Sequence, residues 1–191
     1  LEENEDKVQI IKFTEDSNVM YLPEDSRYIF AGIRYDARIL LRNVEQIQLD
    51  KVDTSNVDNM EGMFYYCTNL TNLDLSSFDT SNVENMYCMF YNCTNLTDLD
   101  LSSCDTSNVT DMNYMFWRCS SLTNLDLSSF DTTNVERMDY MFYDCSGLTN
   151  LDLSSFDTSN VMDMDYMFYN CSGLTNLDLS GFDMTYLYYN N

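Results

Sequence analysis

The chain has 191 residues, with 32 Asp plus Glu against nine Lys plus Arg, a formal charge of −23 and no histidine. Without histidine there is no Ser-His-Asp or Cys-His catalytic pair and no His-containing zinc site. The acidity argues against nucleic acid as a partner, because phosphate neutralisation needs clustered Lys and Arg. At 45% hydrophobic and 14% aromatic the chain can build a core and is not a disordered acidic tail.

No apolar run approaches the roughly 20 residues needed to cross a bilayer, so no transmembrane segment is expected in this fragment. The chain begins at Leu1 and not at Met, as expected of a processed form or a fragment. Residues 1–51 hold seven basic and eleven acidic residues, a net of −4. Residues 52–191 hold two basic residues, Arg118 and Arg137, and 21 acidic ones, a net of −19. That break marks a change of organisation.

Residues 1–43 read as an N-terminal cap containing a degenerate, expanded first coil. Val8-x-x-Ile11-x-Phe13 has the form of the later strands, and Ser26–Ala31 echoes the Tyr-Met-Phe stretch of later units. The basic residues gathered here suit the polar outer surface that a capping unit needs.

From residue 44 to 191 the sequence repeats every 26 residues without insertion. Leu70, Leu96, Leu122, Leu148 and Leu174 keep that step, as do Val57 to Val161, Met63 to Met167, Phe64 to Phe168 and Cys67 to Cys171. In residues 70–95, Leu70-x-x-Leu73-x-Leu75 reads as a short strand. Val83, Met86, Met89 and Phe90 lie at i, i+3, i+6 and i+7, the spacing of one helical face. Between them Asp79-Thr80-Ser81-Asn82 is turn and N-cap chemistry. Each unit is therefore expected to be strand, capped turn and short helix. Stacked units would share a core filled by the Leu, Val, Met and Phe columns. The expected class is an α/β solenoid of about seven coils, ending in a partial coil where the pattern decays after Phe182.

The strand motif resembles that of leucine-rich repeats. The fuller string LTNLDLSSFDTSNVxxMxxMFxxC resembles the 26-residue BspA-like bacterial surface-protein repeat, found in Mycoplasma lipoproteins and in Listeria, lactobacillus and clostridial surface proteins. The resemblance is close over 44–183 and loose over 8–43. Cys104, in a Phe column, and Trp117, in a Tyr column, are the departures. The resemblance implies an extracellular, cell-surface location and a non-catalytic role in adhesion. The expected partner is a protein or glycan on a host or neighbouring cell. The alternative is a stalk that presents other domains and has no ligand of its own.

Two faces are candidate binding sites. Beside the buried strand leucines, Asn72, Asp74, Asp98, Asp100, Asn124, Asp126, Asn150, Asp152 and Asp178 should point outward together. Asp74, Asp100, Asp126, Asp152 and Asp178 would form a column at about 4.8 Å spacing. Its readings are a seat for a cationic ligand or a weakly held divalent cation, or a solvated face screened by salt. Mutual repulsion in the column is expected to raise these pKa values. The second face is an aromatic ladder, Tyr65, Tyr91, Trp117, Tyr143 and Tyr169, exposed for recognition or packed between coils.

A second acidic column, Asp53 to Asp183, is expected to cap turns. The cysteine column is read as buried free thiols or as disulfides between neighbouring units. No cofactor or resident metal is expected. Catalysis is not expected either, because every coil repeats the same carboxylates and none is chemically distinct.

Overall fold

The computed structural model describes residues 9–12, 20–31 and 44–185. Its strands are short and parallel: β1 (Gln9–Lys12), β2 (Met20–Tyr21), β3 (Val44–Gln48), β4 (Val52–Asp53), β5 (Asn72–Asp74), β6 (Asp98–Asp100), β7 (Asn150–Asp152) and β8 (Asn176–Asp178). They form one four-stranded sheet, β1-β3-β5-β6, and two pairs, β2-β4 and β7-β8. The register is the sequence repeat itself: Asn72 lies opposite Asp98 and Asp74 opposite Asp100, while Asn150 lies opposite Asn176 and Asp152 opposite Asp178.

We number the coils 44–69, 70–95, 96–121, 122–147 and 148–173 as first to fifth. Residues 124–126 of the fourth coil carry the same Asn-Leu-Asp triplet but join neither sheet. Leu125 is still buried there, so the inward face is kept where the ladder is broken. Of the expected cap, β1 and β2 pair with β3 and β4. Ser26, Tyr28 and Phe30 donate backbone N–H groups to Asn59, Glu61 and Met63 of the first coil. The Ser26–Ala31 echo is therefore a structural one. Val8, Phe13 and the decayed end at Tyr186–Leu187 lie outside the described residues.

The helix expected in each coil is not formed, and that overturns the α/β solenoid class. Among the described residues the segment with helical spacing is a spring of tight turns. In the first coil the N–H groups of Met63, Tyr65 and Cys67 reach back three residues, to Met60, Gly62 and Phe64. The alternate N–H groups of Met60, Gly62, Phe64 and Tyr66 point sideways to the carbonyls of Asn85, Tyr87, Met89 and Tyr91 in the next coil. An α-helix would keep its backbone bonds to itself; this segment shares half of its own with its neighbour.

Two residues per coil make this possible by adopting left-handed backbone, φ near +55 to +61°. One column is Gly62, Cys88, Tyr114, Tyr140 and Tyr166; the other is Tyr66, Asn92, Arg118, Asp144 and Asn170. Asn, Asp and Gly tolerate that conformation, while Tyr, Cys and Arg adopt it at a cost of roughly 1–2 kcal/mol each. The sideways bonds and the packing below hold them there.

Burial follows the expectation even though the backbone does not. Val57, Met60, Met63, Phe64, Cys67 and Leu70 are all enclosed, and their equivalents form one continuous core through the fourth coil. Phe30, Phe64, Phe90, Phe116, Phe142 and Phe168 stack along the axis with centroids 5.5–5.8 Å apart. A second column, Phe130, Phe156 and Phe182, stacks at 6.5 and 6.4 Å, and Cys104 takes the Phe position in the third coil.

Polar ladders tie the turns. Thr106 is enclosed; its hydroxyl donates to the Asp131 carbonyl at 2.9 Å and accepts the Asp131 N–H at 2.8 Å. Thr54, Thr80 and Thr132 do the same one coil apart. Asn82, Asn108, Asn134 and Asn160 each donate a side-chain N–H to a carbonyl of the preceding coil.

Two substitutions test this account. Thr106→Val keeps the shape but strands one donor and one acceptor, and should lower stability by about 1–2 kcal/mol in denaturant melts. Gly62 has φ +57°, and a Cβ there would meet the Tyr28 ring at 2.1 Å. Gly62→Ala should therefore lower the melting temperature by several degrees, about 1–3 kcal/mol of strain.

Candidate functional site

The strand face is assembled as expected. Asn72, Asp74, Asp98, Asp100, Asn124, Asp126, Asn150, Asp152 and Asp178 are all exposed. β5 and β6 align the first pair of carboxylates and β7 and β8 the last. Asp126 stands between, outside both ladders but close enough to interact with Asp100 and Asp152. Asn72 donates to the Asp98 carboxylate at 2.8 Å. An open groove of about 610 Å³ runs beside Gln46, Gln48, Asp50, Asn72, Asp74 and Ser76.

The electrostatics of this face correct the expectation of raised pKa values. Each column carboxylate accepts the N–H two residues on: Asp74 from Ser76, Asp100 from Ser102, Asp126 from Ser128, Asp152 from Ser154 and Asp178 from Ser180, at 2.9–3.0 Å. Hydrogen bonds from Ser76, Ser102, Ser128 and Ser154 hold Asp74, Asp100, Asp126 and Asp152 below the usual carboxylate range. Repulsion from the neighbouring Asp opposes this at Asp74 and Asp126, but more weakly. A bond to the charged form acts at contact; a like charge across solvent is screened.

The other acidic column caps turns as expected. Asp53, Asp79, Asp105, Asp131, Asp157 and Asp183 accept from Ser55, Ser81, Ser107, Thr133, Ser159 and Thr185.

The aromatic ladder is continuous. Tyr65, Tyr91, Trp117, Tyr143 and Tyr169 stack at 4.8, 4.2, 5.8 and 4.9 Å with planes within 21°. The ring faces cover one another, so four of the five are half-buried. Tyr169, at the end of the stack, is 55% exposed. A parallel run, Tyr114, Tyr140 and Tyr166, stacks at 4.7 and 5.2 Å and ends in a Tyr166 that is 57% exposed. Both readings thus hold in part: the faces pack between coils, while edges and hydroxyls line the surface.

Two features of this wall were not picked out from sequence. Tyr66 packs against Tyr65 and Tyr91. Arg118 lies 4.8 Å from the Trp117 ring centre and pairs with Asp144 at 2.9 Å. Trp117 stands in a Tyr column and Arg118 is the one cation in a column of Tyr66, Asn92, Asp144 and Asn170, and that was the available signal.

The cysteine column carries thiols that act as hydrogen-bond donors. Cys67 donates to the Phe30 carbonyl, and Cys93, Cys119, Cys145 and Cys171 each donate to a Phe carbonyl of the preceding coil, at 2.9–3.1 Å, so the sulfurs are engaged as thiols. Burial pushes the Cys119 thiol up to about 12, which leaves it inert. Among the described residues no group of three or more Cys, Asp or Glu is arranged to hold a metal ion.

The carboxylate caps imply a pH dependence with the sign opposite to that expected from repulsion. A depressed folded-state pKa contributes stability that is present above the ordinary carboxylate pKa and lost as pH falls through the folded value. Thermal melts should therefore show the melting temperature falling between about pH 4 and pH 2.

No curated protein matches the chain. Two overlapping stretches, residues 36–125 and 94–189, match one family, and the chain belongs to it: Mycoplasma protein of unknown function, DUF285.

Proposed function

We propose that this chain is a non-catalytic binding module of a bacterial cell surface, and that its aromatic wall is the contact face for a protein or glycan on a host or neighbouring cell. The observation that carries this reading is the unbroken stack from Tyr65 to Tyr169. Interfaces concentrate Tyr and Trp because such side chains offer large area at low entropic cost. Here the rings are ordered before any ligand arrives, so little entropy remains to be lost. Because the faces are taken, a ligand meets ring edges, hydroxyls and the Arg118–Asp144 pair. That suits an extended, hydrogen-bonding polymer. The resemblance to BspA-like surface repeats supports the adhesive role and the extracellular location.

The alternative, a stalk with no ligand of its own, is favoured by one observation. The strand-face carboxylates are already engaged as turn caps, so that face is accounted for without a partner. The two readings are separated by binding of the purified chain to immobilised matrix proteins, mucin and glycans. On the binding reading, Trp117→Ala and Tyr143→Ala reduce affinity for the captured ligand about 30-fold each, while Asp126→Asn and Asp152→Asn leave it within about twofold. Melting curves control for folding. If nothing binds, the stalk reading stands; if the wall variants bind as well as the parent, the aromatic wall is not the contact face.

A further inference from the structure

The wall departs from its own repeat at one place. In four coils an Asn or Asp accepts the N–H two residues on: Asn59 from Glu61, Asn85 from Tyr87, Asp111 from Asn113 and Asp163 from Asp165, at 2.8–3.2 Å. The fourth coil has Arg137 in that column, and a guanidinium has no acceptor. The stranded N–H of Asp139 is taken instead by Asn113 Oδ1 of the third coil, at 2.7 Å. Asn113 is thereby fully enclosed and Asp139 only 4% exposed. Two polar atoms, Asn113 Nδ2 and Asp139 Oδ1, are left buried without a hydrogen-bond partner. The Asp139 carboxyl also lies within hydrogen-bonding reach of Asp163 in the fifth coil. Two carboxylates cannot bond to each other unless one carries a proton.

We propose that Asp139 and Asp163 share one proton and act as a proton-operated latch between the fourth and fifth coils. Asp139 takes the proton from solvent and donates it in a hydrogen bond to the Asp163 carboxylate. When the proton leaves, two like charges face each other with one of them buried.

The surroundings fit this division. Burial, then Asp163, pushes Asp139 up to about 7. The bond from Asp139 holds Asp163 below the carboxylate range. Arg137 favours both anions, but it is exposed and also pairs with Asp111 at 3.6 Å. The other groups near Asp139 are Asp165 of the fifth coil, Tyr140 of its own and Tyr114 of the third. None is a cation; what resists protonation is the backbone N–H of Asp165, which donates to the Asp139 carboxyl, and then Arg137, and both are outweighed by burial and Asp163. The raised value means stability that is fully present below the ordinary carboxylate pKa and lost as pH rises through about 7. This opposes the cap carboxylates, which lose stability only at lower pH. The chain has no histidine, the side chain that ordinarily titrates in this window.

Carboxyl NMR titration and urea melts between about pH 5 and pH 8.5 test the latch. One Asp should titrate near neutrality, and the folding constant should fall about tenfold or more across that range. Asp139→Asn, whose amide N–H donates without taking up a proton from solvent, should abolish both effects. Asp163→Asn should lower the Asp139 midpoint while burial keeps it above the ordinary value. The proposal is overturned if no carboxyl titrates above about pH 6, or if Asp139→Asn keeps the full pH slope. Should Asp139→Asn fail to fold, an unchanged midpoint in Asp163→Asn overturns it equally.

Discussion

The sideways backbone hydrogen bond is the interaction on which the rest depends. In the first to fourth coils every second N–H of the spring segment leaves its own turn and meets a carbonyl 25 residues on. A bond of that kind fixes register: inserting one residue in any coil would misalign every partner in the next. That is a physical reason for an array without insertions from residue 44. It also explains why bulky residues sit in left-handed backbone at Cys88, Tyr114, Tyr140 and Tyr166. Only there can alternate N–H groups face opposite directions, and each coil recovers the cost through bonds to two neighbours. Stability of such a stack is close to a sum of coil and contact terms, so a local defect weakens one contact before it unfolds the whole.

The core was legible in the sequence and the backbone that builds it was not. Turns closed every two or three residues and a helix of 3.6 residues per turn bring nearly the same positions inward over seven residues. Val83, Met86, Met89 and Phe90 cannot tell the two apart. The discriminating signal lay in the outward columns. Asn92, Asp144 and Asn170 recur where a left-handed residue is needed, and Asn85 and Asp111 recur where a side chain must accept its neighbour's N–H. Those residues are poor helix formers for the same reason that they are good turn formers. The continuous strand ladder was likewise only partly legible, since residues 124–126 repeat the triplet and do not pair.

The acidic columns were placed correctly and weighed wrongly. Spacing alone suggested repulsion, but each strand-face Asp also sits two residues before a Ser N–H, and the contact bond outweighs a screened charge in the next coil. The exception is informative. Asp139 has the same charge and the same coil spacing, yet it is buried and lacks the usual turn because Arg137 replaces an Asn or Asp beside it. One substitution moves an acceptor across coils, encloses Asn113 and leaves a carboxyl whose neighbour is another carboxyl. A repeat makes such a site findable, because the other four coils show what the position does by default.

On the cell-surface reading the thiols need their own account, since an oxidising medium drives exposed cysteines toward disulfides. Cys67 to Cys171 donate to Phe carbonyls and stand one per coil beside the stacked rings. Linking two of them would remove two S–H donors, and carbonyls such as those of Phe64 and Phe90 would keep only the backbone N–H three residues on. Oxidation also requires the thiolate, and burial raises Cys93 and Cys145 well above the ordinary thiol range and Cys119 to about 12. The folded stack therefore protects its own thiols kinetically. Cys171, half-buried in the fifth coil, is the least shielded of the column, and it lies in the coil that the Asp139–Asp163 contact holds to the rest.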